Sequence, residues 1–236
     1  MIQMTELHFR QTPGRDFAAV KARAQEILQS ELDSSDPHDA DKAFLIFHKS
    51  HIVNYSDGQI PAQTAILASD HPSNFEAYRE DIEQSWRCRR AEELLRGCQE
   101  SLLVTEMMAR LLPPQDRVSI FHGVLQAVIE ATKPDALVFK HSQQVVEPAD
   151  YLAACGEAPM SRPGSLNIRF FNISNSDGDF LMDTRGLAAT TTAKHGASLR
   201  RSIIRRSMTA TRASSRRNPA LCSSVGSRRS SLPIRP

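Results

Sequence analysis

The stretch that decides the fold is AFLIFHKSHIVNYSDGQIPAQTAILAS, residues 43–69. It opens with a continuous apolar run, AFLIF, whose length is typical of a buried strand rather than a helix, and we expect a central strand there. Two stretches rich in Ile, Val, Tyr and Thr then flank Asp57-Gly58. Because Asp-Gly tolerates the positive φ of a tight hairpin turn, this pattern predicts two antiparallel strands. Pro61 cannot donate to a strand ladder, so pairing is expected to resume only near Gln63.

Helical periodicity lies on both sides of this hairpin. Residues 15–32 carry apolar side chains at spacings of three and four, which predicts an amphipathic helix, and the polar run 33–39 predicts a loop. Downstream, Ser73 and Glu76 form the S-x-x-E pattern of a capping box. That pattern predicts a helix beginning at Ser73 with Trp86 on its apolar stripe.

The rest of the body alternates between strand and helix patterns, and it predicts one α+β domain over residues 1–189. We expect a largely antiparallel sheet with helices packed on one face. The further predicted elements are a helical stretch ending at Gly97, a strand at 101–107, a helix from Pro113-Pro114 to Lys133-Pro134, short strands ALVFK and QQVV, a brief helix at 148–155, and a hairpin over 165–183 that turns at Asp177-Gly178.

Charge divides the chain at about residue 190. The formal net charge is +2, but residues 190–236 carry ten Arg, one Lys and no acidic residue, a charge of +11. The body therefore holds 18 of the 29 basic residues against all 27 acidic ones, a charge of −9. A partner that binds the body electrostatically is expected to be basic, and its binding is expected to weaken with salt.

Composition also bears on the compartment. The first twenty residues are interrupted by charges and contain no apolar run of signal-peptide length, and no stretch approaches a membrane-spanning segment. The four cysteines show neither CxxC spacing nor the paired pattern of a small secreted scaffold. These features predict a cytoplasmic protein with free thiols.

Three histidines in the first third of the chain are the candidates for metal ligands. His48, His51 and His71 lie near one another in sequence, with Asp70 beside the last. In a regular strand, positions 48 and 51 point to opposite faces, so partly exposed histidines at strand ends are the preferred interpretation. We expect no metal site and no cofactor.

Nucleophilic and phosphate-binding chemistry also lacks a recognisable motif, since there is no G-x-S-x-G, G-x-G-x-x-G or Walker sequence. Cys88 lies among arginines that could lower its pKa, but an incidental cysteine in a helix-terminal charge cluster is preferred. No catalytic residue is predicted. The acidic residues Glu76, Glu80 and Glu83 are interpreted as a solvated helix face, and Met107-Met108 and Phe170-Phe171 as core or strand residues.

Several of these runs resemble a known bacterial family. FLIFHKSHIVNYSDGQIPAQTAILASD, SLLVTEMM, DRVSIFHGVLQAVIEAT and above all DTRGLAA at residues 183–189 are similar to the domain of unknown function 4261, over about residues 44–189. The resemblance implies no agreed activity, cofactor or catalytic residue. It does imply that GLAA is followed by another strand, a helix with aromatic residues and a final strand around a glycine turn, and nothing from residue 190 onward fits that expectation.

The segment 190–236 is therefore open to two interpretations. It contains ten Ser and five Thr and no Phe, Tyr or Trp, a composition that predicts disorder. A basic arm for non-specific nucleic-acid binding is one interpretation, but such arms commonly add aromatic stacking or an amphipathic helix. A frameshift or mispredicted gene end is preferred, because the composition changes abruptly after GLAA. It would leave the sheet without its final strands.

For function, the absence of enzyme motifs favours a non-enzymatic protein that binds a protein partner through a sheet edge or a helix face. The alternative is an enzyme with an unrecognised site, which would gather polar residues from separate segments around one pocket. Placement of His48 or His51, Asp70 and Glu106 around a single cleft would favour the enzyme.

Overall fold

The fold is an antiparallel sheet with helices, as the sequence predicts. In a computed structural model, the chain is described over residues 2–36, 42–69, 73–172, 180–187 and 202–204. The main sheet has seven strands in the order β2-β3-β4-β5-β1-β6-β7, and each neighbouring pair is antiparallel. A second sheet has three strands in the order β10-β9-β8.

The element bounds follow chain order. The strands are β1 (Met4–Phe9), β2 (Leu32–Ser34), β3 (Ala43–Tyr55), β4 (Gly58–Ala68), β5 (Glu100–Met107), β6 (Ala136–Phe139), β7 (Gln144–Val146), β8 (Asn167–Asn172), β9 (Phe180–Arg185) and β10 (Ser202–Ile204). The helices are α1 (Phe17–Leu28), α2 (Arg79–Glu83), α3 (Ala91–Leu95), α4 (Pro114–Thr132) and α5 (Pro148–Ala153), with 3₁₀ turns at Phe75–Tyr78 and Pro159–Ser161. No helix among these described residues is long and apolar enough to cross a membrane.

The two long helices cover one face of the main sheet. Alternate residues of each strand point to opposite faces, so every second side chain of a strand packs under α1 and α4. Their shared core includes Leu7, Phe44, Ile66, Leu102 and Phe121, each no more than 1% exposed. The short helices α2 and α3 pack on the opposite face, against a smaller cluster that contains Ala136, Val138 and Val145. The expected single helical face therefore holds for the long helices, and short helical segments cover part of the other face.

Strand β1 lies beside the centre of the sheet, although no element was predicted for residues 4–9. It pairs with β5 on one side and β6 on the other. The alternation of Thr5, Leu7 and Phe9, all buried on the helical face, is the feature that marks it as a strand. Six residues are too few for such an alternation to stand out.

The hairpin around Asp57-Gly58 forms as predicted, but its first strand is longer and is not central. AFLIF is the start of β3, which runs on to Tyr55 and is the second of seven strands. Pairing does not wait for Gln63: it begins beside the turn and is irregular only between His48 and Ile52. Pro61 lies opposite Ile52 at this irregularity, where the missing N–H is tolerated.

The predicted helix from Ser73 is broken into a 3₁₀ turn and the five-residue α2. Asn74, not Ser73, caps the turn by accepting from the Glu76 N–H at 3.2 Å. The Ser73 hydroxyl instead lies 3.1 Å from Nδ1 of His8, so a tertiary contact replaces the capping box. Trp86, placed on the apolar stripe by periodicity, is 59% exposed.

The other helices and the C-terminal hairpin largely follow the predicted order. Helix α1 ends at Leu28, and the predicted loop at 33–39 begins inside strand β2. Strands β8 and β9 pair as an antiparallel hairpin, while its predicted turn lies outside the described residues. Within the predicted disordered tail, the structure describes only β10, which pairs with β9; the rest of residues 190–236 lies outside the described ranges. The compact unit that contains both sheets is Met1–Arg205.

Candidate functional site

A cleft of about 800 Å³ opens at one end of the main sheet. Because neighbouring strands are antiparallel, the ends of β3, β5 and β6 meet the starts of β1 and β4 at this edge. The cleft thereby combines side chains from distant parts of the chain. It is lined by Ile2, Met4, Tyr55, Glu106, Met107, Met108, Ala109, Arg110, Arg117, Lys140 and His141.

The floor of the cleft is a buried ion pair. Glu106 at the end of β5 binds Arg117 in the first turn of α4, and their side chains are 3% and 5% exposed. Gln3 completes the carboxylate's partners: its Nε2 donates to Glu106 Oε2 at 3.0 Å, and its backbone N–H donates to Oε1 at 3.2 Å. A buried charge pair with this many hydrogen bonds is held in one geometry, so the floor is rigid.

A row of buried polar side chains leads from this floor into the core. Thr64 on β4 lies directly opposite Glu106 on β5. Its hydroxyl is 2.9 Å from Nε2 of His48, which is fully buried. Burial, with a smaller contribution from nearby His51, lowers the pKa of His48 to about 4, so this ring is neutral at physiological pH.

The rim of the cleft is apolar and exposed. Ile2, Tyr55, Met107 and Met108 are 53%, 37%, 37% and 44% exposed, respectively. Met107-Met108 is thus not part of the core. Met108 also has a φ of 50°, a left-handed conformation that is uncommon for residues other than glycine. Exposed apolar side chains gathered around one concavity are typical of an interaction site.

The charges around the cleft are mainly basic. Arg110 is exposed at the rim, and no described residue forms an ion pair with it. Lys140 lies between this cleft and the opposite face of the sheet, where its Nζ is 3.6 Å from Glu6 and 3.9 Å from Asp81. Because Glu106 and Arg117 are already paired with each other, the positive charge of Arg110 is available to pair with a bound partner.

The histidines singled out in the sequence do not gather around this cleft. His48 is buried rather than partly exposed, and the irregularity in β3 brings the ring of His51 to 6.3 Å from its own, instead of placing the two on opposite faces. Asp70 and His71 lie outside the described residues. Within the described part of the chain, no three His, Cys, Asp or Glu side chains are grouped closely enough to hold a metal ion.

Cys88 is not an activated thiol. It is 7% exposed, and burial, with Glu147 as the next cause, raises its pKa. The neighbouring Arg90 is engaged by Glu93 and Glu147 instead. A buried thiol with a raised pKa is a poor nucleophile, so the arginines around Cys88 do not make it reactive.

Comparison with models of protein families, with curated proteins and with solved structures found no match to this chain.

Proposed function

We propose that this chain is an interaction protein, a member of the domain of unknown function 4261 family, that binds a protein partner in the cleft at the end of the sheet without catalysis there. The observation that carries the proposal is the exposure of four large apolar side chains, Ile2, Tyr55, Met107 and Met108, around one concavity. Methionine adapts its shape to different apolar partners and is common at binding surfaces. The rigid ion pair beneath keeps this rim in place.

The partner segment that fits this rim is an apolar side chain next to an acidic residue. The apolar side chain would enter between the two methionines, and the acidic residue would pair with exposed Arg110. The local charge of the cleft thus differs in sign from the net charge of the body. A basic partner remains the prediction for the rest of the surface.

A cytoplasmic location is part of the same proposal. Cys88 and Cys98 are buried free thiols, and Cys155 is free and partly buried. Burial is the largest cause that raises the pKa of each of these thiols. Unpaired thiols of this kind fit a reducing compartment.

The test is affinity capture from the native cells with matched variants of the full chain. Met107→Ser/Met108→Ser removes the apolar rim, and we expect it to lose a protein that the wild type retains. Leu111→Ser is the control, because Leu111 is 60% exposed but does not line the cleft. Equal recovery of the same proteins by all three chains would refute binding at this cleft. Arg110→Glu is expected to weaken capture, and the wild-type interaction is expected to weaken with salt.

A further inference from the structure

A second concavity lies on the face of the main sheet opposite α1 and α4. It has a volume of about 390 Å³ and is lined by side chains of β1, β4 and β5 and of the segment that begins at Ser73. Leu67 and Leu103 supply apolar walls, and Glu6, Ser73 and Tyr78 supply polar ones. Polar groups from separate segments thus meet apolar side chains in an open pocket large enough for a small molecule.

Behind this polar wall, a buried histidine lies between a serine and a carboxylate of the pocket. Ser73 Oγ lies 3.1 Å from Nδ1 of His8. The other ring nitrogen, Nε2, faces Glu6 Oε2 at 3.6 Å. Glu6 and His8 are two apart on β1, so their side chains share this face of the sheet.

The positions of Ser73 and Glu6 favour one tautomer of the His8 ring. A carboxylate facing Nε2 favours the proton on that nitrogen, which leaves Nδ1 as an acceptor for the Ser73 hydroxyl. His8 is fully buried, and neither Nε2 nor Glu6 Oε2 has a hydrogen-bond partner among the described residues. The carboxylate is therefore placed to stabilise the ring once it takes up a second proton.

Tyr78 lies over the same group. Its ring packs edge-on against His8 with 4.8 Å between centroids, and its side chain lines the pocket together with those of Glu6 and Ser73. Burial, followed by the charge of Glu6, raises the pKa of the phenol, so it stays a neutral O–H donor. A neutral donor beside a nucleophile can stabilise negative charge that develops on a substrate oxygen.

We propose that Ser73 is a nucleophile that hydrolyses small uncharged esters, with His8 as its general base and Glu6 as a positioning residue. Ser73 Oγ forms a bond to the carbonyl carbon while its proton passes to His8 Nδ1, and the carbonyl oxygen takes the electron pair and accepts from Tyr78. When this intermediate collapses, the bond to the alcohol oxygen breaks and the alcohol leaves with the proton from His8. Water then attacks the acyl-serine by the same proton transfers and releases the acid. This activity is independent of partner binding at the cleft.

The experiment uses the full chain, a fluorophosphonate probe with the labelled residue located by mass spectrometry, and 4-nitrophenyl acetate as substrate. We expect labelling at Ser73 in the native wild type, no labelling in Ser73→Ala, and a loss of about 100-fold or more in the rate with His8→Gln. Ser101→Ala is the control, because Ser101 lines the same pocket but forms no side-chain hydrogen bond with His8 within the described structure. Absence of label at Ser73, or a rate unchanged in His8→Gln, would overturn the proposal.

Two further measurements keep the test decisive if His8→Gln fails to fold. Wild type in urea is expected to lose the label, because an unactivated serine does not react; retained labelling there would count against activation by the fold. Glu6→Gln keeps the size of the side chain but removes its charge. Its labelling rate is expected to fall, because the ring has lost the carboxylate that sets its tautomer, and Glu6→Asp, which keeps the charge, is expected to restore part of the rate. Equal labelling rates in Glu6→Gln and the wild type would exclude the positioning role.

Discussion

Three of the buried histidines, His48, His122 and His141, make the stability of this protein strongly dependent on pH. Burial is the largest cause that lowers the pKa of His48 to about 4, of His122 to about 3 and of His141 to about 4. In His122 both ring nitrogens are engaged, Nδ1 with the Tyr151 hydroxyl at 2.8 Å and Nε2 with the Ser165 hydroxyl at 3.3 Å. The folded protein therefore holds these three rings neutral.

The unfolded chain protonates the same rings near pH 6.5, so it binds more protons than the folded chain below that pH. The stability that the folded protein gains at neutral pH from these rings is fully present above about pH 6.5. It decreases as the pH falls and is lost near the folded pKa values of about 3 to 4. Between about pH 7 and about pH 5, each histidine lowers the free energy of unfolding by about 2 kcal/mol, and the three together by about 5 to 6 kcal/mol. This is comparable to the whole stability of a typical domain, about 5 to 15 kcal/mol.

Urea unfolding followed by circular dichroism at a series of pH values measures this dependence. His48→Gln removes one titrating group, so we expect about a third of the pH dependence to disappear, whatever the variant's stability at neutral pH. His51→Gln, a change three residues along the same strand, is the control and leaves His48, His122 and His141 in place. A flat urea midpoint across this pH interval, or a full dependence in His48→Gln, would refute the argument.

Three other predictions concern the ion pair, a glycine and the tail. Arg117→Met should lower the free energy of unfolding by about 3 to 5 kcal/mol, because it leaves the Glu106 charge buried without its partner. Urea unfolding should show that adding Glu106→Met restores most of the lost free energy. A further loss in the double variant would contradict the prediction. Gly186→Ala should lower the midpoint of thermal unfolding, because the φ of Gly186 is 95° and a Cβ there would lie 2.2 Å from a backbone oxygen. Gly14→Ala is the control, because the space around Gly14 is open. Resequencing beyond codon 189 should show a strand, a helix and a strand encoded in another frame; frequent stop codons there would favour the basic arm instead.

Long periodic segments of this fold could be predicted from the sequence, and short ones could not. Helix α4 and strand β5 were expected within a residue or two of their observed bounds, because their apolar patterns extend over enough residues to be unambiguous. The hairpin of β3 and β4 was expected from Asp57-Gly58. Helical residues follow Ser73 as expected, but the capping box was wrong because that pattern is local, whereas His8, which engages the serine, comes from a strand 65 residues earlier.

The candidate cleft was less predictable than the fold. Glu106 was singled out in the sequence, but its partners Gln3 and Arg117 carry no motif and meet only because strand ends converge. The expectation that His48 and His51 face opposite ways assumed a regular strand, and the irregularity after His48 removes that alternation. The exposure of Met107 and Met108 depends on where β5 ends, and the run of apolar residues in the sequence does not show that end.

The position of β1 between β5 and β6 sets the order in which the chain can fold. Its two neighbours are contributed by Glu100–Met107 and Ala136–Phe139, so β1 cannot complete its pairing until more than half of the described chain has followed it in synthesis. The hairpin of β3 and β4 closes locally and can form much earlier, but β1 must wait with both of its edges unsatisfied. Such non-local closure slows folding. Pulse-labelled hydrogen exchange during refolding should accordingly show protection in the hairpin before it appears at Leu7.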